Sequence, residues 1–230
     1  MLEVKVVGLF NVPEWLDLSY WDIAVEESEQ QQIPLFDCER YYLQDFHLDL
    51  SGVSRIQVTV GLYRHFAAGL RQYQDNKVSW YTLCRDLPIL GAACITETAD
   101  SKIITGVRSK VFHDRQMLDI VPAGGLTGEH REGLLVNAVD AIIQEGNEEL
   151  YLSSIPGHHF GIGKDLRFLG VSYTTSLHGW NPTLMFHLVW PFQSCEILPS
   201  KEHSSLVFQE KESFTQCDIP MTARQVLEFL

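Results

Sequence analysis

Between Asp86 and Trp190, short apolar runs suited to strands stand on both sides of one helical stretch, and this order constrains the fold more than any other feature. The segment ILGAACITETADSKIITGVRS holds two β-rich runs around the polar turn Glu97–Lys102, which predicts a hairpin. Leu118–Val121 reads as a short strand ending in Pro122-Ala123-Gly124-Gly125. From Glu132 to about Glu149 the apolar spacing turns helical, with Leu134, Leu135, Ala138 and Ile142 on one face. Arg167–Val171 and Leu184–Trp190 read as strands again, separated by a turn containing Gly179 and Pro182, and Thr222–Leu230 as an amphipathic helix. Strands, a long helix, more strands and a final helix predict an α/β chain, a mixed sheet between helical layers.

Upstream, residues 1–10 read as a strand and Glu26–Gln32 as a solvated helix end or loop. Tyr41–Leu50 and Ile56–Val60 alternate apolar and polar residues around the Ser51-Gly52 turn, a second hairpin. Leu62–Tyr73 carries apolar residues at helical spacing, and Asp86-Leu87-Pro88 marks a boundary. The expectation is a small α+β module over 1–85 followed by a larger domain over 86–230.

Composition narrows the function. The net charge is −13 and no block of Lys or Arg occurs, so affinity driven by nucleic-acid phosphates is excluded as the main activity. Small phosphorylated ligands stay open if a divalent metal mediates. The five cysteines are scattered without a CxxC pair, so they read as buried thiols in a reducing compartment rather than as a zinc or disulfide framework. With no signal-like start and no apolar run of membrane-spanning length, the expected location is cytoplasmic, with the nucleus open as well. His158, His159, His178 and His187 lack zinc-type spacing, and no GxSxG elbow exists. In Gly157–Lys164 the spacing fails for a phosphate loop, and Asp165 stands where Ser or Thr would bind magnesium.

The informative stretch is Gln144-Glu145-Gly146-Asn147-Glu148-Glu149-Leu150-Tyr151-Leu152. On a helix, Glu145, Glu148 and Glu149 fall at i, i+3 and i+4, so their carboxylates share one side. Like charges at that spacing repel by about a few tenths of a kcal/mol per pair. No basic residue at a matching position offsets them. Hard divalent cations favour such oxygen ligands, whereas a merely solvated glutamate-rich helix end is the plain alternative.

With the preceding strand and the Pro122–Gly125 turn, this stretch resembles the Nudix hydrolase family. Gly125 matches the leading Gly of its signature, Gln144-Glu145 stands for Arg-Glu, Glu148-Glu149 for the Glu pair, and Leu152 for the closing aliphatic residue. The departures are Gln144 for Arg, Gly146 for an aliphatic residue, Tyr151 for Gly, and a longer spacing from Gly125 to Glu145. Glu129 or Glu132 takes the place of the spaced Glu. A second register would put Asp140 and Gln144 in the key positions but leaves Ile143 where a metal ligand belongs. The chain further resembles the UDP-sugar-hydrolysing branch, through Leu35-Phe36-Asp37, Tyr42-Leu43, Val60–Arg64, Arg108-Ser109 and Leu118–Pro122, with a non-Nudix module at the N-terminus.

The resemblance implies a Nudix-type α/β/α sandwich and hydrolysis of a nucleoside diphosphate derivative, UDP-glucose or UDP-galactose giving UMP and sugar 1-phosphate. It implies Mg2+ or Mn2+ held by Glu145, Glu148, Glu149 and the Gly125 carbonyl. One of the glutamates would serve as base, and Arg108 would contact phosphate unless it only ends a strand. Tyr173 and Trp180 are candidates to stack on the base, or are packing residues. Neither nucleic acid nor a membrane is an expected partner. Two alternatives remain: a Nudix hydrolase of another nucleoside diphosphate derivative, and an inactive Nudix scaffold that binds a ligand or a protein. The losses at 144 and 146 favour the inactive scaffold, and the survival of three mutually repelling carboxylates speaks against it.

Overall fold

The computed structural model describes residues 1–32, 35–49, 52–108, 118–153, 160, 166–172, 182–200 and 203–210. In chain order the first elements are strand β1 (Leu2–Leu9), helix α1 (Ser19–Gln31), β2 (Glu39–His47), β3 (Ser54–Leu62), α2 (Tyr63–Gln74) and α3 (Trp80–Asp86). Next come β4 (Gly91–Glu97), β5 (Lys102–Arg108), β6 (Leu118–Ile120), β7 (Ala123–Gly125), β8 (Arg131–Glu132) and β9 (Leu135–Val136). The last are α4 (Ala138–Glu149), β10 (Leu150–Leu152), β11 (Arg167–Ser172), β12 (Thr183–Val189), β13 (Ile197–Pro199) and β14 (His203–Glu210). The fold is mixed α/β. Among the described residues, no helix is long and apolar enough to cross a membrane.

The chain divides into two compact units. Met1–Leu90 and Gly125–Asn137 belong to the first, and Gly91–Gly124 and Ala138–Ser172 to the second, with the strands from Thr183 onward.

In the first unit a five-stranded sheet runs β2-β3-β1-β9-β8, with β1 parallel to β3 and the other pairs antiparallel. Alternation in β3 works as expected: Ser54, Ile56 and Val58 are buried while Arg55 and Gln57 are exposed. Helix α2 buries Phe66, Ala68 and Leu70 against Leu16, Tyr42, Leu83, Leu87 and Ile89. Its first turn is held by Asp37, whose carboxylate accepts the Arg64 backbone N–H at 3.0 Å, a favourable place for negative charge.

The helix expected from Glu132 is shorter than its apolar spacing implied. It starts at Ala138, and residues 131–136 form the tight β8–β9 hairpin instead. Gly133 makes the turn with φ +62°, a conformation costly for any residue with a Cβ. Pairing of Val4 and Lys5 with Val136 and Leu135 then captures the segment, so Leu134 and Leu135 are exposed rather than on a helical core face.

The second unit contains the sheet path β11-β12-β4-β5-β14, with β6 paired to β5 and β7 to β4. Strands β4 and β12 are parallel, and the remaining registered pairs are antiparallel. Five of the seven residues of β4 are buried, as an interior strand covered on both faces requires. Ala93, Ile95, Ile103, Ile120 and Met185 form one core cluster. Helix α4 packs against β4 and leads directly into β10, which pairs with β13. The Pro122–Gly125 segment, expected as a turn, is partly a strand in its own right, and this places β7 within reach of α4.

Cys84 and Cys94 are buried thiols, as expected, and burial pushes Cys84 up to about 11 and raises Cys94 as well. Cys38 is half-buried and Cys195 is exposed, which the buried-thiol expectation missed. Cys217 lies outside the described residues.

Candidate metal and active site

The last turns of α4 carry the candidate site. Glu145, Glu148 and Glu149 all lie at the C-terminal end of this helix, where the backbone dipole is negative, and its last turn has no basic residue. Each carboxylate there is disfavoured by about 0.3–1 kcal/mol, in addition to their mutual repulsion. A nearby cation would remove both costs.

Glu145 and Glu149, one turn apart, both reach β7. The Glu145 carboxylate rests on Gly124, in the space that a Cβ at that position would need. Glu149 is only 3% exposed, and its Oε2 accepts the Ala123 backbone N–H at 3.0 Å. Its own backbone carbonyl accepts the Ser200 N–H at 3.0 Å, so the residue is fixed at both ends. Glu148 is placed differently. It is exposed, its Oε1 accepts the Gln144 amide at 2.9 Å, and it helps line a shallow cleft of about 420 Å³ with Asp140, Ile143, Gln144 and Asn147. Among the described residues, no three His, Cys, Asp or Glu groups stand close enough together to hold a metal ion. The donor chemistry fits a hard cation nonetheless: magnesium takes one or two carboxylates and completes its shell with water and phosphate.

Two departures from the signature acquire physical reasons. Gln144, standing for Arg, donates to Glu148 one turn on, so a carboxylate is still braced by the residue at that position. Gly146 is buried, and the Phe160 ring occupies the space beside it where a side chain would project. Phe160 is 2% exposed, donates its N–H to Asn147 Oδ1 at 2.9 Å, and packs on Trp190 with ring centroids 5.3 Å apart. An aromatic ring from another part of the chain thus replaces the aliphatic side chain the helix lacks. Sequence spacing carries no signal of this substitution.

Gly125 is the last residue of β7 and lies against Arg40. Glu129 and Glu132 are exposed, and Asp140 is an exposed residue in the first turn of α4. Arg108 ends β5 with its backbone paired to His203, while its side chain lies outside the described residues, as do Tyr173 and Trp180. His158, His159, His178, the Gly157–Lys164 run apart from Phe160, and the expected helix at 222–230 lie outside them too. His187 Nε2 is 3.3 Å from Glu97 Oε2, a structural pair.

No family model and no curated protein matches the chain. Among solved structures it is similar to the MutT protein from Methanosarcina mazei Go1, at 14% identity and a TM-score of 0.44, over 61% of this chain and 90% of that one. It is similar also to the NUDIX domain of Shewanella oneidensis NrtR complexed with ADP ribose, at 11% identity and 0.44, over 61% and 86%. The Nudix hydrolase RenU from M. smegmatis stands at 11% identity and 0.41, over 61% and 82%.

Proposed function

We propose that this chain is a Nudix-type hydrolase that cleaves the diphosphate linkage of a nucleoside diphosphate derivative with the help of Mg2+ or Mn2+. The observation that carries the reading is the shared direction of Glu145 and Glu149. Two carboxylates one turn apart at the negative end of a helix both reach the Ala123-Gly124 segment, one of them buried. Carboxylates at that end of a helix are disfavoured by its dipole, and a divalent cation held by them would relieve the cost.

In this reading Glu145 and Glu149 hold the metal, with the adjacent Gly125 carbonyl as a further candidate donor. When bound, the metal neutralises the diphosphate and lowers the pKa of the attacking water. Ala123 fixes the Glu149 carboxylate through its N–H, and Gly124 leaves room for Glu145. Glu148, oriented by Gln144, is the candidate to orient the attacking water or take its proton. Arg108 is the candidate phosphate contact, and Tyr173 and Trp180 are candidates for the base. UDP-glucose or UDP-galactose is the first substrate class to test, on the resemblance of the segments named above to the UDP-sugar branch. An inactive scaffold is disfavoured because Gln144 and Phe160 account for the two departures that suggested it. A cytoplasmic or nuclear location belongs to the same proposal.

The test is release of UMP from UDP-glucose with and without magnesium, beside ADP-ribose and a diadenosine polyphosphate. Magnesium-dependent UMP release selective for UDP-glucose supports the whole reading. Turnover of another substrate alone removes the UDP-sugar assignment and keeps the hydrolase. No turnover of any of them by folded, metal-supplied protein overturns it.

A further inference from the structure

Arg40, on β2 in the first unit, is a cation without an ion partner among the described residues. Its guanidinium lies over the Tyr63 ring, with Cζ 5.5 Å from the centroid. It also lies against Gly125, where an added Cβ would come within 3.2 Å of Cζ and 3.4 Å of Nε and Nη1. The residue is half-buried, and its Nη1 is covered without a hydrogen-bond partner.

The carboxylates next to it in the chain are committed elsewhere. Asp37 binds the backbone N–H and the guanidinium of Arg64. Glu39 accepts the Tyr41 hydroxyl at 2.9 Å and pairs with Arg131 at 3.2 Å. Among the described residues, no carboxylate forms an ion pair with Arg40. A guanidinium partly withdrawn from water, with Nη1 covered and unbonded, is costly, and an anion on its remaining donors would offset part of that cost. Its planar fork matches an oxyanion through two parallel hydrogen bonds.

We propose that Arg40 binds a phosphoryl oxyanion of a ligand, with Tyr63 and the side-chain-free Gly125 holding the guanidinium in place. The choice of phosphate over carboxylate rests on the diphosphate-hydrolase reading above. The binding itself needs neither the metal nor turnover. The phosphate could belong to a nucleotide or to free pyrophosphate, and the two are separable.

The experiment is isothermal titration of the full chain with inorganic pyrophosphate, UDP and uridine in EDTA, together with melting curves without ligand. The wild type is expected to bind UDP or pyrophosphate and not uridine. Binding of both phosphates means a free anion suffices, and binding of UDP alone means the nucleotide supplies it. Arg40→Met should weaken that binding by about tenfold or more, the size expected for losing a charge-assisted hydrogen bond, with the ligand-free melting temperature unchanged or higher. Arg40→Lys, which keeps the charge and loses the fork, should fall between and guards against a misfolded methionine variant. Equal phosphate affinity in wild type and variants overturns the proposal, as does a wild type that binds neither phosphate. If Arg40→Met lowers the melting temperature without weakening phosphate binding, Arg40 is a packing residue and the proposal falls. Because these titrations contain no metal, failure of magnesium-dependent hydrolysis is scored separately.

Discussion

The Glu145 carboxylate fills the space where a methyl group on Gly124 would have to lie. The glycine is therefore a condition for where the carboxylate sits. Gly124→Ala should push Glu145 off β7 and weaken magnesium binding by about 10- to 100-fold, the range seen when groups that position metal ligands are altered. The melting temperature without metal should hardly move, because the displaced group is the far end of a flexible side chain. Titrating Mg2+ against thermal stability in both proteins checks this. Equal magnesium responses would show that the position of Glu145 is irrelevant to the metal.

Glu149 is buried with its carboxylate on the Ala123 N–H, and a glutamine there keeps an oxygen to accept that bond. Glu149→Gln should abolish hydrolysis and leave the fold intact. Removing a negative charge from a helix C-terminus should also leave metal-free stability equal or slightly raised. Magnesium should stabilise the wild type by mass action and fail to stabilise the variant. Paired melts with and without Mg2+, followed by the hydrolysis assay, decide it, and unchanged turnover would end the metal-site assignment.

Gly146 and Phe160 are coupled. Gly146→Ala gains about 1 kcal/mol of helix propensity, but its methyl would run into the Phe160 ring, and overpacking of a core typically costs about 1–3 kcal/mol. Net destabilisation is expected from the single change. Phe160→Ala should cost about 3–5 kcal/mol as a large-to-small change in a buried site. In the Phe160→Ala background, Gly146→Ala should turn stabilising. A double-mutant cycle by urea denaturation reads the coupling, and additive effects would refute the contact.

His65 supplies a pH dependence. Its Nδ1 accepts the Leu62 N–H at 3.3 Å, which requires the neutral ring, and burial lowers its pKa below the ordinary 6.5. With the folded pKa depressed, the unfolded chain takes up the proton first. This contribution is therefore intact above pH 6.5 and is lost as pH falls from there through the folded value. His65→Gln should show a shallower loss of stability than the wild type as pH drops from about 7 to 5.5. Parallel slopes of urea midpoint against pH would remove His65 from the account.

Much of the architecture follows from local pattern. The β2–β3 and β4–β5 hairpins, α2 and the β11–β12 pair fall where alternation or helical spacing puts them, because each is set by which residues along a few turns or pleats must leave water. The three glutamates at helical spacing were legible for the same reason. Leu134 and Leu135 fit the helical period equally well, yet pairing with β1, far away in sequence, and the turn at Gly133 took them into a hairpin.

By itself, then, the sequence determined the class of fold, the sign of the charge and the stretch of helix that carries the carboxylates. Tertiary structure alone decided which of those carboxylates reach the same strand, why the helix tolerates Gly146, and that Arg40 has no ion partner among the described residues. Those outcomes depend on Ala123, Gly124, Phe160, Tyr63 and Gly125, each brought in from a distant part of the chain. Periodicity records how a residue relates to its neighbours along one element. Contacts between elements depend on how each excludes water and satisfies its polar groups against the others, and no local pattern encodes that.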